Sequence, residues 1–191
     1  MNAPPQRGRL LVASPTLEDP NFFRSVVFLL AADEDGALGV VLNRPSTTPV
    51  AEIVPHWKLH VSSPPLMFHG GPVQPNAAIC VARRVGGLDG PGKLDVDGYS
   101  PLLNALGTVD LHKEPDEIDV RLEGLRVFSG YSGWGPGQLD EEIEAGAWLV
   151  VESEPEDVLS SDPGGLWTRV LRRQGGWAAV LARHPADPSL N

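Results

Sequence analysis

Apolar residues occur along this chain in short runs separated by turns, more than in long helical stripes. Residues 25–32 form a continuous apolar run of Val, Phe, Leu and Ala, which predicts a strand at the centre of a sheet. An acidic turn follows at 33–36 and a second apolar run at 37–42, so the two runs predict a β-hairpin. Further strands are predicted at 10–13, 66–68, 77–82, 125–129, 147–151 and 177–181.

Helical spacing is clearest in two places. Pro136 suits a first helical turn, and Leu139 and Ile143 share one face after it, which predicts a short acidic helix ending near Gly146. The Asp162-Pro163 pair precedes an apolar stripe that predicts a longer helix up to the glycines at 175–176. Shorter helical segments are predicted at 21–24, 49–53, 100–105 and 115–123, and a long surface loop at 85–98.

These elements interleave without a regular strand–helix–strand period, and hairpins are evident. The pattern predicts an α+β fold with a mixed sheet. A length of 191 residues suits one well-buried domain better than two. We therefore expect a single domain over 1–191, with 1–8 and 185–191 as peripheral tails.

Charge is distributed unevenly. The formal net charge is −10, and residues 110–162 alone carry 15 acidic against 3 basic groups. Such a surface keeps a protein in solution and repels phosphate backbones. Together with the lack of a helix-turn-helix pattern, it argues against direct nucleic-acid binding.

Several features indicate a cytoplasmic protein. The chain contains one cysteine, Cys80, which excludes an internal disulfide and fits a reducing compartment. No apolar run approaches the roughly 20 residues that a membrane span needs. The first nine residues show no apolar segment of the signal-peptide kind, so neither export nor membrane insertion is expected.

The most distinctive stretch is Gly-Tyr-Ser-Gly-Trp-Gly-Pro-Gly-Gln-Leu at 130–139. Its glycines predict a tight, specified loop between a strand and the acidic helix. This stretch resembles the signature of the YqgE/AlgH family. Segments 10–15, 19–27, 36–45 and 70–73 stand where that family has its other motifs, so the resemblance covers nearly the whole chain.

The resemblance implies a largely antiparallel, curved pseudo-barrel sheet with flanking helices. It also implies an association with transcriptional regulation, through the AlgH name. The family's biochemical function is largely unknown, so the resemblance implies a fold more firmly than a reaction.

The sequence disfavours four kinds of chemistry: serine hydrolysis, metal binding, thiol redox chemistry and phosphate binding. Ser132 lies in a near nucleophile elbow, with His184 as a conceivable base, but Trp134 stands where the elbow needs glycine. His56 and His60 have metal-ligand spacing, yet prolines leave little room for a helix and no further ligand is nearby. Cys80 lies in an apolar run and is expected to be a buried structural thiol.

The fourth kind of chemistry is phosphate binding at the glycine stretch, 130–139. The acidic residues at 140–144 would oppose a phosphate at that helix start, and neither a Walker lysine nor a dinucleotide fingerprint is present. No cofactor and no metal are therefore expected.

Three segments at predicted strand ends remain as a candidate site. They are Asn-Arg-Pro at 43–45, Gly-Gly-Pro at 70–72 and the glycine stretch at 130–139. If they converge, Arg44 and Gln138 would meet open backbone N–H groups in one concave pocket for a small anion or peptide. The alternative is that three structural corners meet only to close the fold. The candidate ligand-binding residues are Asn43, Arg44, Gly70, Gly71, Pro72, Trp134, Gly137 and Gln138.

The sequence therefore favours a non-catalytic binding or regulatory module with a small ligand or a protein partner. The alternative is an enzyme that acts on a small anionic metabolite held by Arg44. Neither the ligand nor the oligomeric state follows from the sequence.

Overall fold

The computed structural model describes residues 4–86 and 96–184. Ten strands in this part of the chain form one curled sheet of largely antiparallel pairing, with short helices on its outside. The strands are β1 (Arg9–Ala13), β2 (Val26–Asp33), β3 (Gly36–Val41), β4 (Pro45–Pro49), β5 (Leu66–His69), β6 (Val73–Arg84), β7 (Tyr99–Leu103), β8 (Leu106–Val109), β9 (Leu122–Trp134) and β10 (Trp148–Glu152). The helices are α1 (Val50–Ile53), α2 (Gln138–Glu144), α3 (Pro155–Val158), α4 (Leu166–Gln174) and α5 (Gly176–Leu181).

The strand order is β10-β1-β2-β3-β9-β6-β8-β7, and β5 joins β9 as a parallel neighbour while pairing with β4 on its other side. The mixed, mostly antiparallel sheet predicted from the sequence is confirmed. Seven of the eight strands expected from apolar runs are also confirmed, as are the helices over 138–144 and 166–174.

The central strands are buried on both faces, which explains their unbroken apolar sequence. Val26 and Phe28 point into the cluster that α4 and α5 cover, whereas Val27 and Leu29 point into the cluster that α2 covers. A third cluster surrounds Trp57, between α1 and the β6–β9 pair. Each short helix is held by burial of an apolar side, since helices of this length are unstable in isolation.

Several short elements were predicted wrongly. The expected helix at 100–105 is a β-hairpin of β7 and β8, and the one at 115–123 is a single 3-10 turn, Pro115–Glu117, before β9 begins. The turn at 21–24 is not a regular helix. Most of the loop expected at 85–98 and the tail expected at 185–191 lie outside the described residues.

Two further predictions were wrong for different reasons. Residues 177–181 are the helix α5 and not a strand, because a five-residue apolar run does not distinguish the two and its alanines fit closely against the core. Residues 130–134 are the end of β9 and not a loop, because their glycines admit a neighbouring backbone within the sheet.

No helix in the described part of the chain is long and apolar enough to cross a membrane.

Candidate functional site

Arg24 is held in an unusual conformation just before β2. Asp19 begins the turn by accepting the Asn21 amide on its carboxylate, 2.8 Å away, and the Phe23 amide on its carbonyl, 2.7 Å away. Arg24 then adopts a φ of +52°, which non-glycine residues rarely do. A backbone of this kind persists only where its surroundings fix it, so the residue is a candidate for function.

Asn43 supplies that fixation. Its side-chain oxygen accepts the Val26 amide at 3.0 Å, and its side-chain nitrogen donates to the Arg24 carbonyl at 2.9 Å. Asn43 therefore positions Arg24, with both of its polar atoms already engaged. Arg44, the next residue, donates one guanidinium N–H to the Phe23 carbonyl, and its own carbonyl accepts the His69 amide at 2.8 Å.

Arg24 and Arg44 both line one hollow of about 560 Å³, which we call the arginine hollow. This volume lies within the range typical of small-molecule sites. The hollow contains no carboxylate among its described lining residues, although the protein as a whole is acidic. Its lining is Phe23, Arg24, Asn43, Arg44, Gly164, Trp167, Thr168 and His184.

Arg24 is fixed inside this hollow by two contacts. Its guanidinium lies 4.1 Å from the centre of the Trp167 ring, a cation–π arrangement, and one N–H donates to the His184 carbonyl at 3.2 Å. Burial lowers the pKa of Arg24, but an arginine keeps its charge at neutral pH. Among the described residues, neither Arg24 nor Arg44 has a carboxylate partner. The hollow is therefore a cationic site in which the guanidinium groups have further N–H donors available to a ligand.

Arg44 also lines a second, smaller hollow of about 260 Å³, shared with Gly71, Pro72 and His69. The structure therefore brings the Asn-Arg-Pro and Gly-Gly-Pro segments together, as the sequence suggested. Gly70 donates its amide to the Ser129 carbonyl and accepts the Val41 amide, so this segment bridges β3 and β9.

The glycines at this bridge are required by close backbone contact. A side chain on Gly70 would collide with the Gly130 carbonyl, and one on Gly130 would lie 2.6 Å from the Gly71 carbonyl oxygen. The two glycine segments thus interlock as a structural corner of the sheet.

Trp134, Gln138, Glu142 and Trp148 form a separate cluster, which we call the tryptophan corner. The Glu142 carboxylate accepts the Trp134 indole N–H at 3.0 Å, the Trp148 indole N–H at 2.8 Å and the Gln138 amide at 2.9 Å. Gln138 also accepts the Gly135 amide at 3.1 Å. These side chains are engaged with one another, which is the arrangement of a structural anchor.

The tryptophan corner and the arginine hollow lie on opposite faces of the sheet, in different apolar clusters. They are neighbours through the sheet, since Trp148 pairs with Ala13, whose carbonyl accepts the Trp167 indole N–H. Gly137 lines a third hollow, of about 320 Å³, beside Asp33, Glu34 and Asp140. The structure therefore divides the eight candidate residues among separate places.

The other reactive side chains have structural environments. Ser132 is fully buried and donates to the Gly70 carbonyl at 3.1 Å, which leaves it inaccessible as a nucleophile. Cys80 is buried as predicted, and burial raises the pKa of its thiol. His56 approaches the Leu111 carbonyl, and His60 packs on the edge of Trp57. Within 4–86 and 96–184, no three potential ligands cluster closely enough to hold a metal ion.

Sequence reasoning missed four contributors: Arg24, Trp167 and Thr168 in the arginine hollow, and Glu142 in the tryptophan corner. Arg24 lies in segment 19–27, which resembles a family motif, but nothing in the sequence shows that its guanidinium lies near that of Arg44. Glu142 had a detectable signal, because two buried indoles need an acceptor and an acidic helix lies between them in sequence.

Comparison with known proteins shows which family this chain is similar to. A family model described as AlgH-like matches residues 10–179. A UPF0301 protein of Streptomyces coelicolor is 50% identical over 184 residues, which cover 96% of this chain and 94% of that protein. A UPF0301 protein of Thermobifida fusca is 49% identical over 187 residues, again covering 96% and 94%.

Two solved structures share the fold. The crystal structure of a Corynebacterium diphtheriae protein is 33% identical, with a TM-score of 0.89 over 96% of this chain and 95% of that one. The solution structure of the AlgH protein from Pseudomonas aeruginosa is 25% identical, with a TM-score of 0.65 over 97% and 98%.

Proposed function

This chain belongs to the AlgH-like family, and we propose that it is a binding module that takes a small anionic group into the arginine hollow. One observation carries the proposal: Arg24 and Arg44 face a common hollow whose described lining contains no carboxylate. Each guanidinium has five N–H donors in a planar fork, of which the protein uses only a few. Carboxylate and phosphate groups match that fork in charge and geometry.

The construction of the hollow supports a binding role. Asn43 holds Arg24 in a strained backbone conformation, and Trp167 holds the guanidinium from one side. A charge fixed in advance loses little freedom when a ligand binds, which raises affinity. Arg44 is likewise anchored through the Phe23 carbonyl.

We further propose that any regulatory role is exerted in the cytoplasm through this ligand or a protein partner, without direct contact to nucleic acid. The strongly acidic character of residues 110–162 would repel a phosphate backbone at most approaches. Tight binding of duplex DNA at physiological salt would contradict this part of the proposal.

Calorimetric titration with succinate and with inorganic phosphate, at constant ionic strength, tests the anion site. We expect at least one of them to bind, and a ligand at 100 times its Kd to add about 2.7 kcal/mol of stability in a thermal-shift assay. Arg44→Gln and Arg24→Gln should abolish both signals. Arg121→Gln, which removes an exposed arginine elsewhere, should change neither.

The proposal is wrong if the arginine variants bind both anions as the unaltered protein does. It is equally wrong if neither anion binds at millimolar concentration.

A second candidate is an enzyme that holds an anionic metabolite on Arg44. The observation that favours it is that a histidine lines each hollow that Arg44 lines, His184 in the arginine hollow and His69 in the smaller one. Incubation with a mixture of carboxylated and phosphorylated metabolites, followed by NMR, distinguishes the candidates. Turnover that disappears in Arg44→Gln and in one histidine variant supports the enzyme, and binding without turnover supports the module.

A further inference from the structure

The helix α5 leaves two apolar side chains outside. Trp177 is 64% exposed and Val180 is 61% exposed, whereas Ala178 and Ala182 on the opposite side are buried against the core. The helix is therefore held by Ala178, Leu181 and Ala182. Exposure of a tryptophan next to a valine is unusual for a free surface and typical of a contact surface.

This apolar face leads directly to the arginine hollow. The amides of Arg183 and His184 bond to the carbonyls of Val180 and Leu181, so the helical path continues past the end of α5 to His184, which lines the hollow. Val180 and Trp177 lie about 6 Å and 10 Å from His184 along that path. The N–H···O bond from Arg24 to the His184 carbonyl ties the two features together.

The same region differs in charge from the rest of the chain. Residues 163–184 contain four arginines and no Asp or Glu, although the whole protein carries a net charge of −10. Arg169 and Arg173 are paired with carboxylates. Arg172 is exposed, and it lies one turn after Thr168, a lining residue of the hollow, on the same face of α4.

We propose that the arginine hollow and the outward face of α5 form one docking surface for an acidic peptide segment of a partner protein that carries apolar side chains. Carboxylates of the segment would bind Arg24 and Arg44, and its apolar side chains would cover Trp177 and Val180. This inference rests on the proposed anion site and specifies its partner. The charge pattern favours such a segment over an anionic membrane or nucleic acid, because the acidic remainder of the protein would repel an extended anionic surface.

Tryptophan fluorescence can observe this surface selectively. The chain has five tryptophans, and Trp57, Trp134, Trp148 and Trp167 are all buried. Acrylamide quenching of the native protein therefore reports chiefly on Trp177.

The experiment compares three probes: succinate, a hexapeptide of alternating aspartate and leucine, and a matched hexapeptide with alanine in place of leucine. We expect the leucine peptide to bind at least tenfold more tightly than the alanine peptide and to protect Trp177 from quenching. Trp177→Ala should reduce the affinity for the leucine peptide to that for the alanine peptide and leave succinate binding unchanged. Leu59→Ala, which truncates an 86% exposed leucine elsewhere, should alter no affinity.

Each contrary outcome has a distinct meaning. If succinate binds but the two peptides bind equally and Trp177 stays accessible, the docking surface is refuted and the anion site stands. If neither these probes nor inorganic phosphate binds, both proposals fail, and if only phosphate binds, the docking surface is refuted and the anion site stands. If Trp177 becomes protected with rising protein concentration alone, alongside a dimer in sedimentation, a second copy covers the face and the peptide is refuted. If phosphatidylglycerol vesicles protect Trp177 from quenching and the peptides do not, the peptide proposal is refuted and the face binds a membrane.

Discussion

The tryptophan corner and the arginine hollow lie on opposite faces of the sheet and use polar groups in opposite ways. In the tryptophan corner, the Glu142 carboxylate is saturated by two indoles and an amide from its own chain. In the arginine hollow, two guanidinium groups are fixed in place but lack carboxylate partners among the described residues. A saturated cluster stabilises the fold, whereas an unsaturated one is available to a ligand.

The residues that are most distinctive in the sequence are therefore not the residues that are available to a ligand. The stretch at 130–139 is the most distinctive of the chain, yet Gly130 and Trp134 serve the packing of β9. The comparison predicts that changes at 130–148 reduce stability and changes in the hollow reduce binding.

The largest expected effect is that of Gly130→Ala. Gly130 has a φ of +67°, and an added methyl group would lie 2.6 Å from the Gly71 carbonyl oxygen. Backbone strain and this clash together should lower the free energy of unfolding by about 3 kcal/mol, measured by urea denaturation. Gly133→Ala is the matched control, since its nearest neighbour would be 3.6 Å away, and equal losses at both positions would contradict the role of the interlocked corner.

Glu142→Ala should have the next largest effect. The change removes the acceptor shared by Trp134 and Trp148, and a buried donor left without its acceptor costs about 1–3 kcal/mol. We expect a loss of about 2 kcal/mol with unchanged succinate affinity. Glu141→Ala, on the exposed side of α2, should cost less than about 0.5 kcal/mol. A loss of anion binding on Glu142→Ala would show that the two regions are not independent.

Asn43→Ala should affect both properties, because Asn43 belongs to the scaffold of the hollow. Loss of its bonds to Val26 and Arg24 should cost about 1–2 kcal/mol and release Arg24 from its strained backbone. Affinity for succinate should therefore fall, as calorimetry would show. Asn76→Ala, at an exposed position, serves as the control. Unchanged affinity would mean that Arg24 needs no support from Asn43.

Chemical labelling of the Cys80 thiol is the measurement that changes the protein least. Cys80 pairs with Val127 in the β6–β9 ladder. The thiol is buried and burial raises its pKa, so a thiol reagent should react only as the protein opens. Gly130→Ala should accelerate labelling by roughly 100-fold, the equivalent of about 3 kcal/mol, while Arg44→Gln should leave the rate nearly unchanged. Fast labelling of the unaltered protein would show that the core near Cys80 is accessible.

The sequence by itself determined the strands with long apolar runs, the two best-patterned helices and the largely antiparallel sheet. These elements are local: burial on both faces of β2 and β3 requires an unbroken apolar run, and helix α4 requires its stripe. Short segments such as 100–105 and 177–181 had no local preference strong enough to decide them, so packing against the sheet chose strand or helix.

The site depended on tertiary structure. Arg24 and Arg44 are twenty residues apart, and Trp167 and His184 come from the far end of the chain, so no spacing in the sequence connects them. Strand pairing set the two regions on opposite faces of the sheet, and only folding brought the Trp148 indole to Glu142 and the two arginines to one hollow. Electrostatic partnership depends on distance in space, which the order of residues does not contain.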